Sequence, residues 1–174
     1  PLIKKIVIPG SVVTVETYFL ADMNPDSIYF CGTKEPEMIN TIMSLDAKET
    51  FIWGADYFAE LIPDKNAGSW IVWDKRANGN DDIEEDYSSA KMYGSCFELC
   101  WSKNKHKRDI ARVKWAGVFG TEQEFDHKRY HPTQKPIKLA EWFLKRYSED
   151  GHIIVDLFGG SGSTLIACEQ LNRT

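Results

Sequence analysis

The chain has 174 residues, 43% apolar and 27% charged, with a formal net charge of -5. This is one domain's length with enough apolar residue for a core, which excludes a disordered chain. The acidic balance excludes a protein that binds nucleic acid over its whole surface, while leaving room for a local basic patch.

No apolar run is long enough to span a membrane, and the N-terminus lacks a signal-peptide pattern, so a cytoplasmic location with no membrane partner is expected. Cys31, Cys96, Cys100 and Cys168 form no Cys-x-x-Cys pair and have no histidine at zinc spacing. Free thiols and no metal site are expected.

In chain order, Lys5–Ile8 is a short strand candidate and Thr14–Met23 a weak helix candidate. Asn24-Pro25-Asp26 reads as a turn leading into a strand over Ser27–Phe30. Glu35–Leu45 places Met38, Ile39, Ile42 and Leu45 on one helical face. Glu49–Trp53 reads as a strand, Ala55–Ile62 as a short helix stopped by Pro63, and Trp70–Trp73 as a strand. Ala77–Asp86 is polar and acidic and reads as an exposed loop. Phe97–Trp101 is a further strand, and Lys103–Lys128 is the least regular part. Pro136–Tyr147 carries Leu139, Ala140, Phe143, Leu144 and Tyr147 as an apolar stripe. His152–Leu157 is a continuous apolar run of the kind buried on both faces of a parallel sheet, and Thr164–Leu171 reads as a helix. This alternation predicts a three-layer α/β fold, a mostly parallel sheet with helices on both faces. Trp53, Trp70, Trp73 and Trp142 are expected in the core, and His106, His127 and His152 show no ligand spacing.

The most informative stretch is Asp156-Leu-Phe-Gly-Gly-Ser-Gly-Ser-Thr164, between the last strand and the last helix. Ligands of doubly wound folds bind at the carboxyl ends of the strands. Gly159, Gly160 and Gly162 permit close approach to the main chain, and the amides around Gly162, Ser163 and Thr164 can hold an anion. No Gly-Lys-Ser/Thr follows, which excludes a Walker loop, and the dinucleotide glycine register fails at Thr164 and Leu165. A nucleoside or amino-acid-bearing ligand is left. A purely structural turn is the other reading.

Upstream stands His131-Pro-Thr-Gln-Lys-Pro136, which alone reads as a helix entry capped by Thr133. Taken with the glycine turn, it resembles the amino-methylating DNA methyltransferases (adenine N6 or cytosine N4) of permuted motif order. Phe51-Ile-Trp-Gly-Ala-Asp-Tyr-Phe58, Ser69–Arg76 and Phe97–Trp101 resemble further strands of that family's phage-type members. The resemblance implies a Rossmann-like methyltransferase fold and S-adenosylmethionine as cofactor. It implies that Asp156, Phe158, Gly159, Gly160, Ser161 and Gly162 line the cofactor, with Ser163 and Thr164 at the helix start. Thr133, Gln134 and Lys135 would close over it. It further implies one domain over residues 1–174, with 77–130 as a target-recognition insertion. The implied partner is double-stranded DNA, with a homodimer and a partner restriction endonuclease as further partners the family admits.

The family's Asp/Asn/Ser-Pro-Pro-Tyr/Phe catalytic loop has no counterpart here, so no catalytic residue is assigned. It is expected where Phe30 joins Cys31. Either the natural protein carries the loop at that point or the chain is a non-catalytic relative that binds DNA or cofactor. The strand that would hold the cofactor ribose is expected beyond Thr174.

Lys103, Lys105, Lys107, Arg108, Arg112 and Lys114 form a basic run flanked by Trp101 and Trp115. Cations and aromatics together suit phosphate contact and base stacking, so this run is the candidate DNA-binding segment, a solvated surface run being the alternative. Replacing Lys105, Lys107 and Arg108 by alanine is expected to weaken DNA binding and flatten its salt dependence. Positive charge here, set against the acidic Asp81–Asp86 loop, would make one face a DNA cleft, and Asp74-Lys75-Arg76 is expected to end a strand near it.

Overall fold

A computed structural model describes residues 28–31, 36–44, 47–76, 95–115 and 134–174. The candidate elements at Lys5–Ile8 and Thr14–Met23, the acidic loop 77–86, His127 and the segment 131–133 with Thr133 lie outside the described residues.

Six strands form one sheet: β1 (Ile28–Cys31), β2 (Glu49–Trp53), β3 (Ser69–Asp74), β4 (Phe97–Ser102), β5 (Ile110–Arg112) and β6 (Ile154–Asp156). Three helices accompany them: α1 (Pro36–Ser44), α2 (Ile137–Tyr147) and α3 (Ser163–Gln170), with a 3-10 stretch at Ala55–Leu61 that breaks at Phe58. The order across the sheet is β5-β3-β4-β2-β1-β6. β1 runs parallel to β2 and β6, and β3 parallel to β5, while β4 is antiparallel to both its neighbours. Five strands therefore point one way, and their carboxyl ends share one edge of the sheet.

Alternation along the strands builds the layers. On one face Phe51, Ile71, Trp73, Cys100 and Ala111 pack against Leu139 and Phe143 of α2. On the other, Ile52 and Trp101 pack against Ile39 and Ile42 of α1 and against Phe58 and Ile62. α3 joins the first face, placing Ala167 and Cys168 against Leu144. The buried indoles find acceptors: Trp73 Nε1 donates to the Val113 carbonyl at 2.8 Å and Trp101 Nε1 to the Lys65 carbonyl at 3.0 Å. Without those partners each N–H would oppose burial of its ring.

Two expectations are corrected. The irregular segment contains β5, which follows β3 through the pairs Val72–Ile110 and Asp74–Arg112. Three residues that follow Asp109 and end in Arg112 give too short a pattern to read as a strand. β4 and β5 both fall inside 77–130 and are integral to the sheet, β4 lying between β3 and β2. The last strand is Ile154–Asp156, shorter than the run expected, and each residue is half-buried; it pairs with β1. Thr174 lies beside it, its amide donating to the His152 carbonyl at 2.9 Å and its carbonyl accepting from Ile154 at 2.7 Å.

The amino end of the sheet is tied by a buried carboxylate. Glu49 accepts from the Thr50 and Asn104 backbone amides at 2.9 and 3.2 Å, from Asn104 Nδ2 at 3.1 Å and from His106 Nε2 at 2.5 Å. A buried charge survives because its lone pairs are taken. His106, which spacing left without a role, completes this set and packs 4.6 Å from the Tyr147 ring.

Candidate functional site

β6 ends at Asp156, and one carboxylate oxygen accepts the Phe158 amide at 2.9 Å, closing the turn that follows. Gly159, Gly160 and Phe158 are exposed. Gly160 and Gly162 adopt φ of 51° and 77°, left-handed values that disfavour a side chain. Among the described residues, a Cβ placed on Gly159 or Gly162 would meet no atom within 4 Å, so open space faces the turn.

Gly162 is the N-cap of α3, without a side-chain cap, and the first intrahelical bond is donated by Ile166 to the Gly162 carbonyl at 3.0 Å. The amides of Ser163, Thr164 and Leu165 therefore precede the helical ladder, at the positive end of the helix dipole. Asp156 also acts on α3: burial first, and then the Asp156 charge, push the Cys168 thiol up to about 11.

The Gln134-Lys135 segment enters α2 at the same edge of the sheet. Pro136, with extended backbone, is the N-cap of α2, in place of the Thr133 cap expected. Gln134 is buried. Lys135 Nζ lies 5.3 Å from the Trp53 ring centroid at the end of β2 and 3.7 Å from Glu98 Oε2 at the start of β4. Lys75 Nζ takes the other Glu98 oxygen at 2.6 Å and lies 5.0 Å from the Trp73 ring. Glu98 faces Trp73 directly across the β3–β4 ladder, and the Trp53 and Trp73 rings meet edge-on at 5.9 Å.

Asp74 closes β3 and holds Arg76 through its backbone amide and Nε, both at 3.0 Å. Burial alone would raise the Asp74 carboxyl, but hydrogen bonds and charge from Arg76, aided by Arg112, hold it below its ordinary value. Asp74-Lys75-Arg76 thus stands at the carboxyl end of β3, the strand end at which it was expected.

The structure divides the basic run. Lys103 Nζ donates to the Ala47 carbonyl at 3.0 Å, and Lys105 Nζ to the Asn66 and Gly68 carbonyls at 3.2 Å, all at the amino end of the sheet. Lys107 and Arg108 are exposed on the β4–β5 connection. Arg112 and Lys114 lie toward the carboxyl edge, where Val113 and Trp115 donate to the Asp74 and Lys75 carbonyls. Trp101 and Trp115 are 1% and 6% exposed, so neither can stack on a base. Their flanking position reflected core strands, which basic spacing alone does not reveal.

Sequence reasoning missed Glu98 and Trp53 as site residues. The signal available was the strand ends themselves, since both residues close or open strands at the edge that carries the glycine turn. Among the described residues no cluster of three or more His, Cys, Asp or Glu suits a metal ion, and no helix is long and apolar enough to cross a membrane.

Similarity to known proteins agrees with this architecture. M1.HpyAVI in complex with SAM superposes with a TM-score of 0.60 at 21% identity, covering 90% of this chain and 83% of that one. The PvuII DNA methyltransferase (cytosine-N4-specific) superposes at 0.55 with 15% identity, covering 91% and 77%. At such identities the likeness establishes the fold. In sequence, the type II methyltransferase M.HpaI of Haemophilus parainfluenzae is 41% identical over 122 residues, 61% of this chain and 38% of that protein. M.HindIII of Haemophilus influenzae is 40% identical over 48 residues, 28% of this chain and 16% of that protein. The chain thus spans well under half the length of these relatives. The family model described as DNA methylase, for N6 and N4 methyltransferases, matches residues 28–174, and the chain belongs to that family.

Proposed function

We propose that this chain is part of an enzyme that transfers a methyl group from S-adenosylmethionine to the exocyclic amino nitrogen of adenine (N6) or cytosine (N4) in double-stranded DNA. The observation that carries the reading is the open space at Gly159 and Gly162, bounded by the free first turn of α3 and entered on the sheet edge that also holds Lys135. A methionine carboxylate suits the amides of Ser163 and Thr164, and Asp156 offers a negative charge to the ligand's ammonium. The cofactor, when bound, supplies the activated methyl group. Asp156, Phe158, Gly159, Gly160, Ser161 and Gly162 would line its binding space, and Thr133, Gln134 and Lys135 would cover it. The complex of M1.HpyAVI with SAM and the likeness to the PvuII DNA methyltransferase support the same cofactor and substrate class.

The chain's own contribution to transfer is orientation: a base removed from the stack must present its amino nitrogen in line with the methyl group, in a space from which water is excluded. For DNA we propose phosphate contacts from Arg112 and Lys114 at the carboxyl edge; Lys107 and Arg108 lie on the β4–β5 connection, at the amino end of the sheet, and are proposed to contribute less. Lys103 and Lys105 have their ammonium groups engaged by backbone carbonyls and contribute less.

A second reading is favoured by one observation. β1 continues from Phe30 into Cys31, which pairs with Ile52, where the family places its Asp/Asn/Ser-Pro-Pro-Tyr/Phe loop. A non-catalytic subunit that binds DNA or cofactor has that character. Transfer of labelled methyl groups to unmethylated DNA by the intact natural protein separates the two. Incorporation at adenine or cytosine amino groups is expected. Cofactor binding without incorporation would establish the non-catalytic subunit instead.

A further inference from the structure

We infer that Glu98 is a positioning residue, which fixes Lys135 over Trp53 and thereby docks the segment entering α2 onto the sheet. The inference rests in part on the reading that this segment covers the cofactor.

The geometry is a carboxylate shared between two ammonium groups. Glu98 Oε1 takes Lys75 at 2.6 Å and Oε2 faces Lys135 at 3.7 Å. The two lysines differ in how they are held. Lys75 extends β3, its amide donating to the Cys96 carbonyl at 3.0 Å and its carbonyl accepting from Trp115 at 2.8 Å. Glu98 itself sits in β4, opposite Trp73 in the ladder. Lys75, Glu98 and the two tryptophans are thus parts of the sheet. Lys135 belongs to no strand or helix, and its own segment enters α2 at a proline with no side-chain cap. The charge contact to Glu98 and the face of Trp53 are what the sheet offers to its ammonium. Both interactions are charge-dependent and partly shielded from water, so they favour one lysine placement over its many rotamers.

Charge balance gives Glu98 a second effect. With the carboxylate present, the group carries one net positive charge. Glu98→Gln leaves two ammonium groups without their shared counter-ion, so Lys135 is repelled as well as released. The backbone of Lys75 is held in the ladder and its ammonium lies over Trp73, so the displacement is expected to fall on Lys135 and on buried Gln134 beside it.

The test combines two measurements on the intact protein. Hydrogen exchange is followed in the ligand-free state at the Leu139 amide, which donates to the Pro136 carbonyl at 3.0 Å, and at its neighbours in the first turn of α2. S-adenosylmethionine affinity is measured by calorimetry for Glu98→Gln, Lys135→Met and the double variant. Faster exchange is expected in both single variants, with affinity weakened roughly threefold to tenfold in each. The double variant is expected to be no weaker than the worse single one, because Glu98 acts through Lys135. A merely structural role for Glu98 would add its loss to that of Lys135→Met, and additive losses overturn the inference. So does unchanged exchange in Glu98→Gln. If exchange rises in both variants while the natural protein binds no cofactor, Glu98 still positions Lys135, and the methyltransferase reading is what falls.

Discussion

At the residue scale the glycine turn separates two demands that sequence alone merges. Gly162 needs its left-handed φ of 77° to cap α3, so a side chain there is strained whatever room surrounds it. Gly159 carries no such positive φ, and a Cβ there enters open space. The two alanine variants should therefore fail differently. Gly162→Ala is expected to lower folding stability by about 1 kcal/mol, read from urea denaturation. Gly159→Ala is expected to leave the denaturation midpoint within about 0.5 kcal/mol of the natural protein while weakening S-adenosylmethionine binding by about tenfold or more. Unchanged affinity in Gly159→Ala would mean that the space beside this turn is not where the cofactor lies. Asp156 bonds the Phe158 amide of its own turn through one oxygen, and under the proposed function its charge also faces the ligand's ammonium.

At the element scale the sheet is closed by a contact no pattern announces. Gly68 precedes β3, and a Cβ on it would stand 2.6 and 2.7 Å from two ring atoms of Trp101 and into the Ser102 carbonyl. Both neighbours belong to the buried part of β4 and cannot withdraw without loosening the β3–β4 ladder. Gly68→Ala is expected to cost about 2 kcal/mol or more, with the slope of the denaturation curve unchanged. A loss under about 0.5 kcal/mol would show that this strand entry relaxes freely. The contrast with the visible elements is instructive. Glu49–Trp53, Phe97–Trp101 and Pro136–Tyr147 were legible because each carries enough apolar residues at strand or helix period to reveal its buried face. β5 was not, since its three residues owe their strand geometry to β3 beside them. The glycine turn was legible because backbone demands leave a mark in glycine positions. The Lys75–Glu98–Lys135 bridge was not, because its members are far apart in the chain and meet only once β3, β4 and the entry to α2 are assembled.

At the scale of the whole molecule, under the proposed function, the distribution of cations decides where DNA can lie. The sequence places six of them in a single run, and the fold sends them to two ends of the sheet. Lys103 and Lys105 spend their ammonium groups on carbonyls before β2 and β3, remote from the glycine turn at the carboxyl edge. Arg112 follows β3 toward that edge, and Lys114 lies one step beyond it. A phosphate contact releases condensed counter-ions, so its loss reduces the slope of log affinity against log salt by about one per contact. Arg112→Ala with Lys114→Ala is therefore expected to weaken DNA binding and to flatten the salt slope by about two. Lys103→Ala with Lys105→Ala removes the same formal charge, yet is expected to change the slope by less than about one and to act mainly on stability, because it strips donors from backbone carbonyls. Equal slopes for the two double variants, measured by fluorescence anisotropy on one duplex across a salt titration, would return the basic run to a single surface. A steeper loss in the Lys103 and Lys105 variant would place the duplex at the amino end of the sheet, where it could not deliver a base to the glycine turn, and would thereby count against methyl transfer at that turn.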